Sequence, residues 1–165
     1  MCKEAGSHVY RQVYVNGFMH GNEITSEEAK RYMTSYGYKY VEGVEVRYYR
    51  LNKIEALYRY SLDKNGEIIR EAISEPISKF VYRWESNKYI TSYIYRSRIE
   101  VADIKTGELL GVDQSFATRG GIVMSWLTKN FFGDDVGSAQ SCRGIDRSNI
   151  LMSTLLPETT LESEK

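Results

Sequence analysis

His8 and His20 are the only side chains in this sequence whose unperturbed pKa lies near neutrality, so general acid–base or zinc chemistry would have to recruit one of them. His8 opens an extended run, and His20 lies in a glycine-flanked stretch, Asn16 to Asn22, that reads as a loop. Surface or edge positions are the simpler reading of both. A serine–histidine–aspartate arrangement would need one of them, and no G-x-S-x-G elbow is present to support it. Cys2 and Cys142 stand far apart, with no CxxC and no histidine pair beside them, so they do not by themselves make a metal site. No metal and no cofactor is expected, and no residue is given a catalytic role. Residue types alone leave three fates open for the cysteines: a disulfide closing a long loop, two unpaired thiols in a cytosolic protein, or a lipid on Cys2 after removal of an export signal.

Carboxylates are plentiful. Asp103, Glu108 and Asp113 border one turn, where paired carboxylates could do glycosidase work but the sequence gives no register to set their separation. Asp134-Asp135 follows an apolar stretch without the ligand spacing of a calcium loop, and surface solvation accounts for all of them more simply. The most specific local feature is Arg119-Gly120-Gly121, where an extended run gives way to an irregular one. Two glycines permit close backbone approach, and a guanidinium offers a fixed fork of donors to a carboxylate or phosphate. The simpler reading is a strand terminator with an arginine paired to a neighbouring acid. Read functionally, Arg119, Gly120 and Gly121, with Arg96 and Arg98, are the candidate binding residues.

These residues must be positioned by a sheet. The chain holds 14 Tyr, 5 Phe and 2 Trp in 165 residues, and aromatic side chains suit a pleated, half-buried surface. Tyr40, Glu42, Val44, Val46 and Tyr48 share one parity, as do Phe80, Tyr82 and Trp84, and then Tyr93, Tyr95, Ile99 and Val101. Asn65-Gly66 and Lys105-Thr106-Gly107 predict two hairpins, and Asn16-Gly17 predicts the end of a first strand over 8–15. One helix is clearly marked: Thr25 and Glu28 have capping-box spacing, Ala29, Tyr32, Met33 and Tyr36 follow at helical intervals, and Gly37 closes the run. Ile122, Val123, Trp126, Leu127 and Phe131 predict a second, short helix before Gly133. The fold expected is α+β: an antiparallel β-meander of about six strands with one N-terminal helix packed on one face. Residues 1–144 form one domain in this reading, and 145–165 a flexible polar tail.

Lys and Arg number 22 against 22 Asp and Glu, so no net field gathers nucleic acid, and that partner is not expected. No apolar run is long enough for a transmembrane helix. The N-terminus also lacks the pattern of a signal peptide, and Met1 is read as standing where one was removed.

Taken in order, Cys2-Lys3-Glu4-Ala5-Gly6-Ser7-His8-Val9-Tyr10, Tyr95-Arg96-Ser97-Arg98-Ile99, Asp103-Ile104-Lys105-Thr106-Gly107-Glu108-Leu109-Leu110-Gly111, Arg119-Gly120-Gly121 and Ser141-Cys142 resemble a group of small, exported proteobacterial proteins. Members of that group have an early Cys, a Thr-Gly-Glu hairpin, an Arg-Gly-Gly turn and a late Cys. The resemblance implies a periplasmic or envelope location, with a cytoplasmic one as the alternative, and a Cys2–Cys142 disulfide. It implies no activity. The function expected is a non-catalytic exported binding or interaction domain that meets a protein partner through a sheet face or edge. The alternatives are a small envelope hydrolase using a His/carboxylate pair, and an inhibitor or immunity-like protein carried on a mobile element.

Overall fold

Two crossovers decide the architecture, because each returns the chain to the sheet parallel to a strand it has already laid down. The structure, a computed structural model, describes residues 5–49, 52–90, 94–118, 141–142 and 147–158. Its strands are β1 (Gly6–Val9), β2 (Val13–Val15), β3 (Gly17–Glu23), β4 (Tyr40–Tyr49), β5 (Asn52–Leu62), β6 (Ile68–Ala72), β7 (Phe80–Tyr89), β8 (Ile94–Asp103), β9 (Leu109–Thr118), β10 (Ser141–Cys142) and β11 (Leu155–Pro157). The helices are α1 (Ser26–Tyr36) and α2 (Arg147–Thr154).

The expected six-strand antiparallel meander is corrected. Among the described residues the protein is mostly β, with nine strands in one mixed sheet of order β1-β9-β8-β7-β3-β4-β5-β6, β10 pairing beside β1 on β9. A separate parallel pair joins β11 to β2. The departure is centred on β3, which runs parallel to both β4 and β7. The stretch predicted as a loop holding His20 is thus a central strand. Glycine serves close approach there: a Cβ on Gly17 would lie 2.2 Å from the Tyr40 carbonyl oxygen.

Helix α1 makes the first crossover, from β3 to β4, and its ends follow the sequence. Thr25 and Glu28 form the reciprocal capping box, and Gly37 takes φ 81° at the C-terminus. Ala29 and Met33 are buried on the sheet. The second crossover, 73–79, carries the chain from the edge strand β6 back to β7. It spans about four strand spacings, roughly 19 Å, and seven extended residues reach only roughly 25 Å. No helix fits in that length, so the segment crosses extended, on the face away from α1.

One buried side chain holds it there. Glu42 is fully buried on β4 opposite Arg59 of β5, whose Nε and Nη2 donate to Oε1 at 3.0 and 2.9 Å. The backbone N–H groups of Ile77 and Ser78 donate to Oε1 at 3.2 Å and Oε2 at 2.9 Å. Burial alone would raise the glutamate pKa. The hydrogen bonds from Ser78, from the Ile77 N–H and from Arg59 outweigh it and hold the carboxyl below its ordinary value.

The stretch expected as a flexible polar tail instead supplies core. Ile150, Leu151 and Leu155 are buried, and the Tyr38 hydroxyl donates to the Leu155 carbonyl at 2.6 Å. A Cβ on Gly111 would lie 2.4 Å from Thr154 Oγ1, so α2 seats on β9 where the strand has no side chain. An acidic end, Glu158 onward, hides this apolar cluster from a reading by composition. Residues 159–165 and the helix predicted over 122–131 lie outside the described residues.

Candidate functional site

Helix α1 packs over β4, β5 and β6, while α2 packs over β8, β9 and β1. Both helices are short, so the shared sheet face between them is covered only in part. At the carboxyl end of β3 this leaves a groove of about 490 Å³, within the size range of small-molecule sites. Strand β3 stops there because its pairing with β4 shifts between His20 and Glu23, and Ile24 folds inward over Gly43. The strands on either side continue beyond it. Ligands of sheets with parallel strands gather at the carboxyl ends of those strands, where neighbouring connections part.

Alternation puts Phe18, His20 and Asn22 on the α1 face of β3, and Phe80, Tyr82 and Trp84 on the same face of β7. Phe18 is buried, meeting Tyr32, Tyr38 and Tyr82 edge-on at centroid distances of 5.3, 4.9 and 6.2 Å. Above it His20 lies 6.0 Å from the Tyr32 ring and 5.5 Å from Tyr82. Trp84 remains 43% exposed, yet its indole N–H donates to Ser97 Oγ at 2.9 Å, which orients the ring. Asn22 takes over where strand pairing ends: its amide donates to the Trp84 carbonyl at 2.8 Å and accepts from the Trp84 N–H at 2.6 Å. Glu23, Glu28 and Ile99 complete the lining.

The protonation of His20 follows from its contacts. Nδ1 lies 3.0 Å from the Asn22 carbonyl oxygen, which can only accept, so Nδ1 carries the proton and Nε2 the lone pair. Burial lowers the pKa below the ordinary histidine value, outweighing the Asn22 carbonyl and Glu28, which both favour the charged ring. At pH 7 the ring is neutral. Burial, reinforced by Tyr82 and Glu28, raises the Tyr32 pKa above the ordinary tyrosine value, so its hydroxyl stays protonated.

The groove brings a histidine and a carboxylate together, as a hydrolase would require, but the carboxylate is occupied. Glu28 Oε2 accepts from the Thr25 N–H at 3.0 Å and the Thr25 hydroxyl at 3.1 Å. Its work is to start α1.

The candidate binding arginines lie elsewhere. Arg96 and Arg98 project from the opposite face of β8, where Arg96 pairs with Glu85 at 3.1 Å, Arg98 with Glu100 at 3.0 Å, and Arg83 also with Glu100. This is a cross-strand ion-pair lattice, separate from the groove. Arg119, Gly120, Gly121, Asp134, Asp135 and Cys2 lie outside the described residues. His8 is exposed on β1. Asp103 caps its hairpin, accepting from the Lys105 and Thr106 N–H groups at 2.9 and 3.0 Å. Among the described residues, no three His, Cys, Asp or Glu side chains converge in a way that could hold a metal ion, and no helix is long and apolar enough to cross a membrane.

Sequence reasoning missed the groove because it placed His20 in a loop. The signal that could have found it is the alternation Phe18-x-His20-x-Asn22, which matches Phe80-x-Tyr82-x-Trp84 in period. No known protein family, curated protein or solved structure matches the chain.

Proposed function

We propose that the chain is a non-catalytic binding domain whose recognition site is the aromatic groove at the carboxyl end of β3. The observation that carries this reading is the fixing of the groove's polar groups before any ligand arrives. His20 is held by Asn22, Asn22 by Trp84, Trp84 by Ser97 and Glu28 by Thr25. Rigid aromatic walls with a few oriented polar groups suit recognition, where little ordering is left to oppose binding. An amide-detected NMR screen of the full chain against a mixed fragment library tests it. Perturbations should cluster at Asn22, Glu23, Tyr82 and Trp84. Hits confined to the ion-pair face of Arg96 and Arg98, or none at all, would count against it.

Export and a Cys2–Cys142 disulfide belong to the same proposal. Strand β10 pairs Cys142 with Phe116, and β1 pairs Gly6 with Gln114, along one edge of β9. Two register steps, roughly 7 Å, separate those positions, and a segment of four residues can reach roughly 14 Å. That reach exceeds the separation, which supports the proposed bridge. Protein recovered from its host should show two thiols blocked until reduction, and Cys2→Ser should lower stability by about 2–5 kcal/mol under oxidising conditions. Two freely titrating thiols would end the proposal of a bridge and of export together.

A further inference from the structure

Resting on the groove as the binding site, we infer that its ligand is a small organic cation, an alkylated ammonium group above all. Three aromatic rings, Tyr32, Tyr82 and Trp84, line it, and ring faces attract cations through their quadrupoles. Two carboxylates, Glu23 and Glu28, line it as well, whereas no Lys or Arg does among the described residues. Neither glutamate forms an ion pair with a Lys or Arg among those residues. His20, the one lining base, contributes an uncharged ring with a lone pair on Nε2 rather than a competing positive charge. The surrounding surface makes the contrast sharper: on the opposite face Arg83, Arg96 and Arg98 each sit against a glutamate, whereas here the acids line the same groove as the aromatic rings. Aromatic walls with two carboxylates and, among the described residues, no lining Lys or Arg complement a cation whose own surface is apolar. An anion would meet repulsion, and a neutral polar ligand would use neither feature.

Choline and its uncharged carbon isostere, 3,3-dimethyl-1-butanol, separate charge from shape. Both are titrated into the full chain while the Trp84 indole and the Asn22 amide are followed by NMR. Choline should bind about ten-fold tighter than the isostere, and the difference should shrink as salt is raised. Trp84→Ala should abolish the choline shift at Asn22 while leaving distant amides unchanged. Glu23→Gln, a change at an exposed position, should weaken choline about two- to five-fold and leave the isostere unaffected. Equal or tighter binding of the isostere would overturn the cation and leave the groove as a binding site for something apolar. Failure of both probes to perturb the groove would overturn the cation too, and a fragment screen that also found no hits there would take the binding reading with it.

Discussion

Glu42→Ala is expected to lower the free energy of unfolding by about 3–5 kcal/mol, because the truncation leaves one half-buried guanidinium and two backbone N–H groups, at a fully buried position, without their acceptor. The cost is set by what remains unpaired. Arg59 keeps the exposed Glu71, 3.8 Å away, and the Tyr40 ring beneath it, and the Ile77–Ser78 segment loses the side chain that ties it to β4. Glu42→Gln preserves the shape but turns an amide N–H toward backbone donors, so it should fall between wild type and alanine. The pH dependence has a definite sign. The folded carboxyl has a lowered pKa, so its stabilisation is fully present above the ordinary glutamate value and is lost as pH falls through the lower folded one. Chemical denaturation at several pH values would show this as an acid limb that is steeper in wild type than in Glu42→Gln. A cost below about 1 kcal/mol for alanine would mean that other contacts hold the crossover.

Phe18→Ala should cost a similar amount, about 3–5 kcal/mol, through transfer of the ring and the cavity left behind. Phe18 is fully buried and touches Tyr32 of α1, Tyr38 of the α1–β4 connection and Tyr82 of β7. It also underlies the groove, so the Tyr32 and Tyr82 rings should lose their fixed separation from His20. Denaturant unfolding should show a lower midpoint with an unchanged slope. A loss of less than about 1.5 kcal/mol would show that the surrounding rings collapse into the space.

Local chemistry made part of this fold legible. Thr25, Glu28 and Gly37 mark the ends of α1 because the signals are short-range and backbone-based. The two hairpins at Gly66 and Gly107, both at positive φ, were readable for the same reason. What escaped depends on contacts between distant residues. Gly17 and Gly21 look like turn formers, yet they let β3 lie against Tyr40 on one side and Val81 and Arg83 on the other. Pro76 signals a break in a strand, but nothing local says that 73–79 passes across the sheet. Parity put Glu42 on one face of β4, and only the β4–β5 register shows that Arg59 lies opposite it. The groove was hidden because it belongs to the carboxyl end of a parallel strand, and the sequence was read as antiparallel throughout.

The most direct measurement is a crystal structure of the full chain grown in the presence of choline. The account expects the ammonium group between Tyr82 and Trp84, within about 6 Å of their ring centroids, with Glu23 and Glu28 as the nearest charges. Choline bound elsewhere, or a groove that takes only neutral apolar molecules, would contradict it.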